Sequence, residues 1–300
     1  MMAMKVAFIS SLERSGSTIL DLKLSSRTAV IGFGEVWRVI SPHGAGLSSV
    51  KKRLCTCGEI GGNCSFWASV FLAIESTDAD TLTERYEVFL DVVKQQYGEH
   101  VVVVDSSKSI HALDALFRAR NANVYVLFTI RDVRGWISSI RKAELRKREM
   151  PWRKVFDTDF KYFFFAYIRL NILRLLPFWL PNEWLLRNLR ILSDIKKKRL
   201  KFIRMSYEEL VFESDNAFTR IEKFLGIDEN QESLGNDSNS LHIIRGNRAA
   251  FTSDPGAPLH YDAHWMSSWR SFILPIFLPW VAWYNMKWVY AYLLRDLSDK

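Results

Sequence analysis

Four short, mainly apolar runs punctuate the chain, at residues 6–9, 101–104, 124–130 and 202–205, the last interrupted by Arg204 and most of them rich in β-branched side chains. Runs of this length and composition, separated by helical stretches, predict a parallel sheet covered on both faces. Each run ends in polar residues: Ser10 onward, Asp105, Arg131-Asp132, and Ser206-Tyr207-Glu208. In open parallel sheets ligands sit beyond the carboxyl ends of the strands, so these residues are placed where chemistry is expected. The helical patterns begin at Ser17, running to Leu24. An amphipathic helix is predicted over 81–97, an aromatic-rich one over 159–176 broken by Pro177 and Pro181, and a fourth over 217–225 closed by Gly226. Residues 228–240 are rich in Gly, Asn and Ser and read as a loop or linker. The basic run 196–199 reads as a solvated face before the last strand.

Composition narrows the class. The chain has 300 residues, 48% hydrophobic and 25% charged, with 41 Lys and Arg against 33 Asp and Glu for a net charge of +8. That balance excludes intrinsic disorder and a polytopic membrane protein. The expectation is one α/β domain over 1–300: a central parallel sheet flanked by helices, with a core about 1–250 and a C-terminal aromatic helical segment about 264–300. No long apolar stretch opens the chain, and three cysteines do not make a disulfide framework, so a cytoplasmic setting is expected. The pI near 9.3 favours anionic ligands. Residues 272–294 are mostly apolar and reach the ~20 needed for a span. Pro275, Pro279, Asn285 and Lys287 interrupt them, and aromatic residues crowd them. This segment suits core or homodimer packing, or peripheral membrane contact, better than a crossing. No nucleic-acid partner is expected.

Three strand ends carry candidate anion chemistry. Ser11-Leu12-Glu13-Arg14-Ser15-Gly16-Ser17-Thr18 lies between the first strand and its helix. Such a turn presents backbone N–H groups and a positive helix end to a phosphate. A Walker A loop needs Gly and Lys where this chain has Ser11 and Ser17, which disfavours an ordinary NTPase and leaves Arg14 as the local cation. Asp105-Ser106-Ser107-Lys108-Ser109 follows the second run, and Arg131, with Ser139 eight residues on, follows the third. An Arg with a hydroxyl suits a phosphate monoester.

With these motifs in order, the chain resembles the sulfotransferases that use 3′-phosphoadenosine 5′-phosphosulfate (PAPS), in their bacterial and algal branch. The resemblance covers residues 5 to 250 and includes Gly34-Glu35, Cys55-Thr56-Cys57-Gly58, Cys64-Ser65-Phe66-Trp67, Tyr207-Glu208-Glu209-Leu210 and His242 with Gly246-Asn247-Arg248. It implies a P-loop-like sulfotransferase fold and transfer of a sulfuryl group to a hydroxyl or amine of a small-molecule acceptor. The product would be 3′-phosphoadenosine 5′-phosphate (PAP), and no metal would be required. Arg14, Ser15, Gly16, Ser17 and Thr18 would cradle the 5′-phosphate. Lys108 and Arg14 would stabilise the leaving oxygen, and Arg131 and Ser139 would hold the 3′-phosphate, with Arg141 or Lys142 completing that motif. Tyr207, Gly246, Asn247 and Arg248 would close over the nucleotide. In-line transfer requires the acceptor to lose a proton. Glu35 is one candidate base, in a segment resembling that of the catalytic glutamate of tyrosylprotein sulfotransferases; His111, three residues after Lys108, is the other. Glu13 departs from the family loop and puts a carboxylate beside an anion site, so it is expected to turn away or pair with a cation. The competing reading is an atypical P-loop kinase or nucleotide-binding protein.

Cys55, Cys57 and Cys64 offer three thiolates, but the nearest histidines, His43 and His100, sit at no standard zinc spacing. No metal site is therefore expected, and the stretch reads as a loop or lid packing Phe66 and Trp67 near an acceptor pocket.

Overall fold

The computed structural model describes residues 3–27, 29–43, 46–148, 178–227, 241–246, 251, 259–267 and 277–293. The predicted helix 159–176, the predicted linker 228–240, and Asn247 and Arg248 lie outside these residues.

The four predicted strands form, joined by a fifth. β1 (Met4–Ser11), β2 (Val30–Gly32), β3 (Val102–Asp105), β4 (Ala122–Ile130) and β5 (Lys201–Ser206) make a parallel sheet in the order β2-β3-β1-β4-β5. β1 lies at the centre because it is apolar on both faces. Met4, Val6 and Phe8 point into one core layer, while Ala7 and Ile9 point into the other. This period-two split is what a strand buried on both sides requires. β2 has three residues, too few for a run to register in the sequence.

Helices α1 (Ser17–Ser25), α9 (Tyr207–Phe212) and α10 (Ser214–Leu225) cover one face. The other face carries α2 (Val36–Ile40), α3 (Gly46–Lys51), α4 (Ser65–Ser76), α5 (Leu82–Tyr97), α6 (Ile110–Arg118), α7 (Val133–Arg148), α8 (Trp179–Lys197) and α11 (Pro279–Val289). α5 begins with a reciprocal cap: the Thr81 side chain accepts from the Glu84 N–H, and the Glu84 carboxylate accepts from the Thr81 N–H. α10 ends at Gly226 in the left-handed conformation, as the sequence predicted. Pro181 falls in the first turn of α8, where no intrahelical N–H is needed. The basic run closes α8: Lys196 and Lys197 sit in its last turn, and Lys198 pairs with Asp194 and, at 2.9 Å, with Asp114.

Phe66 and Trp67 correct the lid expectation. Both are fully buried on α4, packed with Phe33 and Phe89 in the main core. They face other aromatic rings from α5 and from the end of β2, so they are structural. In the C-terminal segment, α11 buries Val281, Tyr284, Asn285 and Val289 and exposes Trp280, Trp283 and Met286. Among the described residues, no helix is long and apolar enough to cross a membrane.

Candidate active site

The turn after β1 enters α1 through Gly16, whose φ of 86° is left-handed. A Cβ there would stand 2.8 Å from Tyr207 Cδ2, so glycine is required both by conformation and by contact. No side chain caps α1, which leaves the N–H groups of its first turn directed beyond the sheet edge. Arg14 is also left-handed, with φ 68°. Glu13 forms a two-point ion pair with Arg187, at 2.6 and 2.8 Å, which neutralises it and draws it aside.

At the end of β3 a buried polar network shapes the Lys108 turn. Asp105 accepts from the Tyr86 hydroxyl at 2.7 Å and from the Ser107 N–H at 2.8 Å. Ser107 Oγ accepts from the Trp37 N–H at 2.9 Å, and the Ser106 N–H donates to Gly34 O at 2.9 Å. These bonds lock the segment after β3 against the segment after β2. Lys108, at φ 61°, then reaches Glu35 Oε1 at 2.8 Å and Ser17 Oγ at 3.2 Å. Two non-glycine residues in left-handed conformations, both cationic and at adjacent strand ends, mark stored backbone strain at the site. The second oxygen of Glu35 faces Arg38 Nε at 2.8 Å.

At the end of β4, Arg131 is buried. Its guanidinium donates to Arg14 O at 3.2 Å and to Asp262 Oδ2 at 3.1 Å and lies 4.5 Å from the Tyr207 ring centre. On α7, Gly135, Ser139 and Lys142 recur at helical spacing on one face. A Cβ at Gly135 would lie 3.1 Å from Arg131 Nε, so that face looks toward Arg131. The charge of Lys142 acts on Asp262, which associates Lys142 with this end of the site.

Among the described residues, the buried polar atoms with no hydrogen-bond partner include Ser15 Oγ and Arg131 Nε. Leaving such groups unpaired costs about 1–3 kcal/mol each. Acceptor oxygens of a bound anion would satisfy both, so the residues present fit a phosphate-bearing ligand. The acids beneath the site are held toward their neutral forms. Burial raises Asp21 to about 7, although it accepts from Ser106 Oγ at 2.7 Å. Burial raises Asp105 to about 6. Burial, aided by the negative charge of Asp132, raises Glu208 to about 8.

The structure therefore gathers Ser17, Lys108 and Glu35 at one point and Arg14, Arg131 and Tyr207 at another. His111, exposed on α6, lines a groove with Trp37, His43 and Leu82. Gly246 is described, ending the 241–246 segment whose Arg245 O accepts from the Glu35 N–H at 2.9 Å. Sequence reasoning missed Asp262, Asp21 and Tyr86, whose positions depend on chain crossings with no local signature, and Arg38, which meets Glu35 three residues away.

The family model described as Sulfotransferase family matches residues 7–231. Among solved structures, a sulfotransferase from Alicyclobacillus acidocaldarius aligns at 14% identity and TM-score 0.43, over 93% of this chain and 96% of that one. The sulfotransferase domain from the curacin biosynthetic pathway aligns at 16% identity and TM-score 0.38, over 93% and 99%. No curated protein matches. The matched span contains the turn after β1, Glu35, Lys108, Arg131 and Tyr207, and on that match the chain belongs to the sulfotransferase family.

Proposed function

We propose that the protein transfers a sulfuryl group from PAPS to a hydroxyl or amine of a small-molecule acceptor by in-line displacement. The observation that carries this reading is the position of Lys108, whose ammonium lies between Ser17 Oγ and Glu35 Oε1. One cation thus adjoins both the 5′ loop and a carboxylate able to take a proton. When bound, PAPS supplies the sulfuryl group and a phosphate leaving group.

The chain's own residues divide the remaining work. Ser15, Gly16, Ser17, Thr18 and the open first turn of α1 hold the 5′-phosphate through N–H and hydroxyl groups. Arg14 and Lys108 stabilise charge on the leaving oxygen. Arg131 and Ser139 hold the 3′-phosphate, with Lys142 adding positive charge at that end. Tyr207 supports both the Gly16 turn and the Arg131 guanidinium. Glu35 is the general base: it is buried and its carboxylate meets the Lys108 ammonium at 2.8 Å, whereas His111 is exposed on α6. Catalysis of this kind is mostly positioning and electrostatics, which arginine and lysine supply.

Calorimetry in EDTA, followed by a radiolabelled transfer assay over hydroxyl and amine acceptors, tests the proposal. The expected result is metal-independent binding of PAP, weakened roughly tenfold or more when the 3′-phosphate is absent, because the charged Arg131 contact is lost. Label from PAPS should appear on an acceptor. Magnesium-dependent ATP turnover without PAP binding would replace this reading with the kinase one, and PAP binding with no labelled product on any acceptor would reduce it to a nucleotide-binding protein.

A further inference from the structure

The three cysteines meet a histidine that lies far away in sequence. One donor atom from each of Cys55, Cys57, Cys64 and His242 falls within 4.8 Å of all the others. Cys55 and Cys64 are fully buried and His242 nearly so. Cys64 Sγ lies 3.7 Å from Cys55 Sγ and 3.1 Å from His242 Nδ1. All three cysteines are free. The 3.7 Å separation is far longer than a disulfide bond of about 2.05 Å. Two thiolates about 2.3 Å from a tetrahedral zinc ion stand about 3.8 Å apart, so the spacing is that of a ligand edge.

The backbone builds this cluster from two distant segments. Leu54 pairs antiparallel with Ile60. The tight turn between them is closed by Cys55 N–H to Glu59 O at 2.8 Å and Gly58 N–H to Cys55 O at 3.0 Å. Gly58 takes a φ of 92° there, and the turn carries Cys55 and Cys57. Cys64 N–H donates to Ile60 O at 2.9 Å and places the third thiol at the start of α4. The segment bearing His242 is stitched to the same turn. Thr56 N–H donates to Ile243 O at 3.0 Å, Ile243 N–H donates to Thr56 Oγ1 at 2.9 Å, and Trp67 Nε1 donates to His242 O at 2.6 Å. The Phe66 ring stacks on the imidazole.

We propose that Cys55, Cys57, Cys64 and His242 bind one structural zinc ion. Three sulfurs and one imidazole nitrogen suit zinc, whereas magnesium and calcium prefer oxygen donors. The protein fills all four positions, which makes the site closed and structural rather than catalytic. Thiol protons pass to solvent as the ion binds. The ion fastens the 241–246 segment, on which the Glu35 backbone rests. Gly34 marks how closely that segment packs: a Cβ there would lie 2.5 Å from Arg245 O and 2.7 Å from Ile243 Cγ2. The expectation of no metal rested on sequence spacing alone, in which His242, 178 residues from Cys64, offers no signal.

The test is independent of turnover. The full chain, purified without a histidine tag, is assayed by elemental mass spectrometry, and the chelated chain is titrated with cobalt(II). About one zinc per chain is expected, together with the intense visible bands and thiolate charge transfer of tetrahedral cobalt. Cys57 is only half-buried, so Cys57→Ser is expected to fold by circular dichroism while losing at least roughly tenfold in metal affinity. A folded wild-type chain that neither carries metal nor takes up cobalt would overturn the proposal. So would a Cys57→Ser variant that binds cobalt as tightly as the wild type with the same spectrum.

Discussion

Asp262 sets a carboxylate oxygen 3.1 Å from the guanidinium of Arg131. A residue 131 positions downstream therefore already answers the charge proposed to hold a 3′-phosphate. Its segment is tied down at Tyr207, whose hydroxyl donates to His260 O at 3.0 Å and accepts from the Asp262 N–H at 3.2 Å. Asp262 itself remains 44% exposed, so water screens the pair and an incoming phosphate can displace it.

Asp262→Asn should tighten PAP binding. Removing a half-exposed competing carboxylate is worth roughly 0.5–1 kcal/mol, or about two- to fivefold in affinity. Calorimetry at fixed ionic strength reads this directly. Unchanged or weaker binding would show that Asp262 does not compete for Arg131.

Glu35→Gln should retain PAP binding and lose roughly 10²-fold or more in turnover, since it removes the proton acceptor and keeps the shape. Lys108→Met should impair binding as well as turnover, because Lys108 also reaches Ser17. Steady-state kinetics on PAPS with calorimetry on PAP separates the two effects. Full activity in Glu35→Gln, with loss in His111→Ala, would move the base to His111.

Gly16→Ala should both destabilise the fold and abolish nucleotide binding. Alanine in the left-handed region costs about 1–2 kcal/mol, and its methyl group would meet the Tyr207 ring at 2.8 Å. Thermal denaturation should register the first effect and PAP titration the second. A variant with wild-type stability and affinity would contradict the packing described for this turn.

Stability should fall as pH rises through neutrality. Glu208 is raised from 4.5 to about 8 by burial and by Asp132, and Asp21 from 3.8 to about 7 by burial. The folded chain therefore keeps protons that the unfolded chain has released. That stabilisation is complete below the unfolded values and is lost as pH passes through the folded ones. Melting temperature is expected to decline between about pH 5 and pH 8, a tenfold difference in proton affinity between the folded and unfolded chain being worth about 1.4 kcal/mol. Glu208→Gln keeps an acceptor for the Asp132 N–H and should flatten part of the decline. A flat wild-type profile would contradict the buried, proton-holding state of these acids.

The amino-acid sequence alone determined the parallel sheet and placed the candidate motifs, in order, at its carboxyl edge. Each is a local pattern: a buried strand writes a mainly apolar run, and a turn into a helix writes its small and hydroxylated residues within a few positions. It could not register β2, because three residues make no run, and it could not tell whether Phe66 and Trp67 lay in core or lid, because aromatic content is the same in both. Tertiary structure decided which side chains meet. Lys108 finds Glu35 because the ends of β2 and β3 are bonded side by side, Asp262 finds Arg131 through Tyr207, and His242 reaches the cysteines through a backbone clasp at Thr56. Such contacts join residues tens to hundreds of positions apart, and only the folded path of the chain fixes those distances.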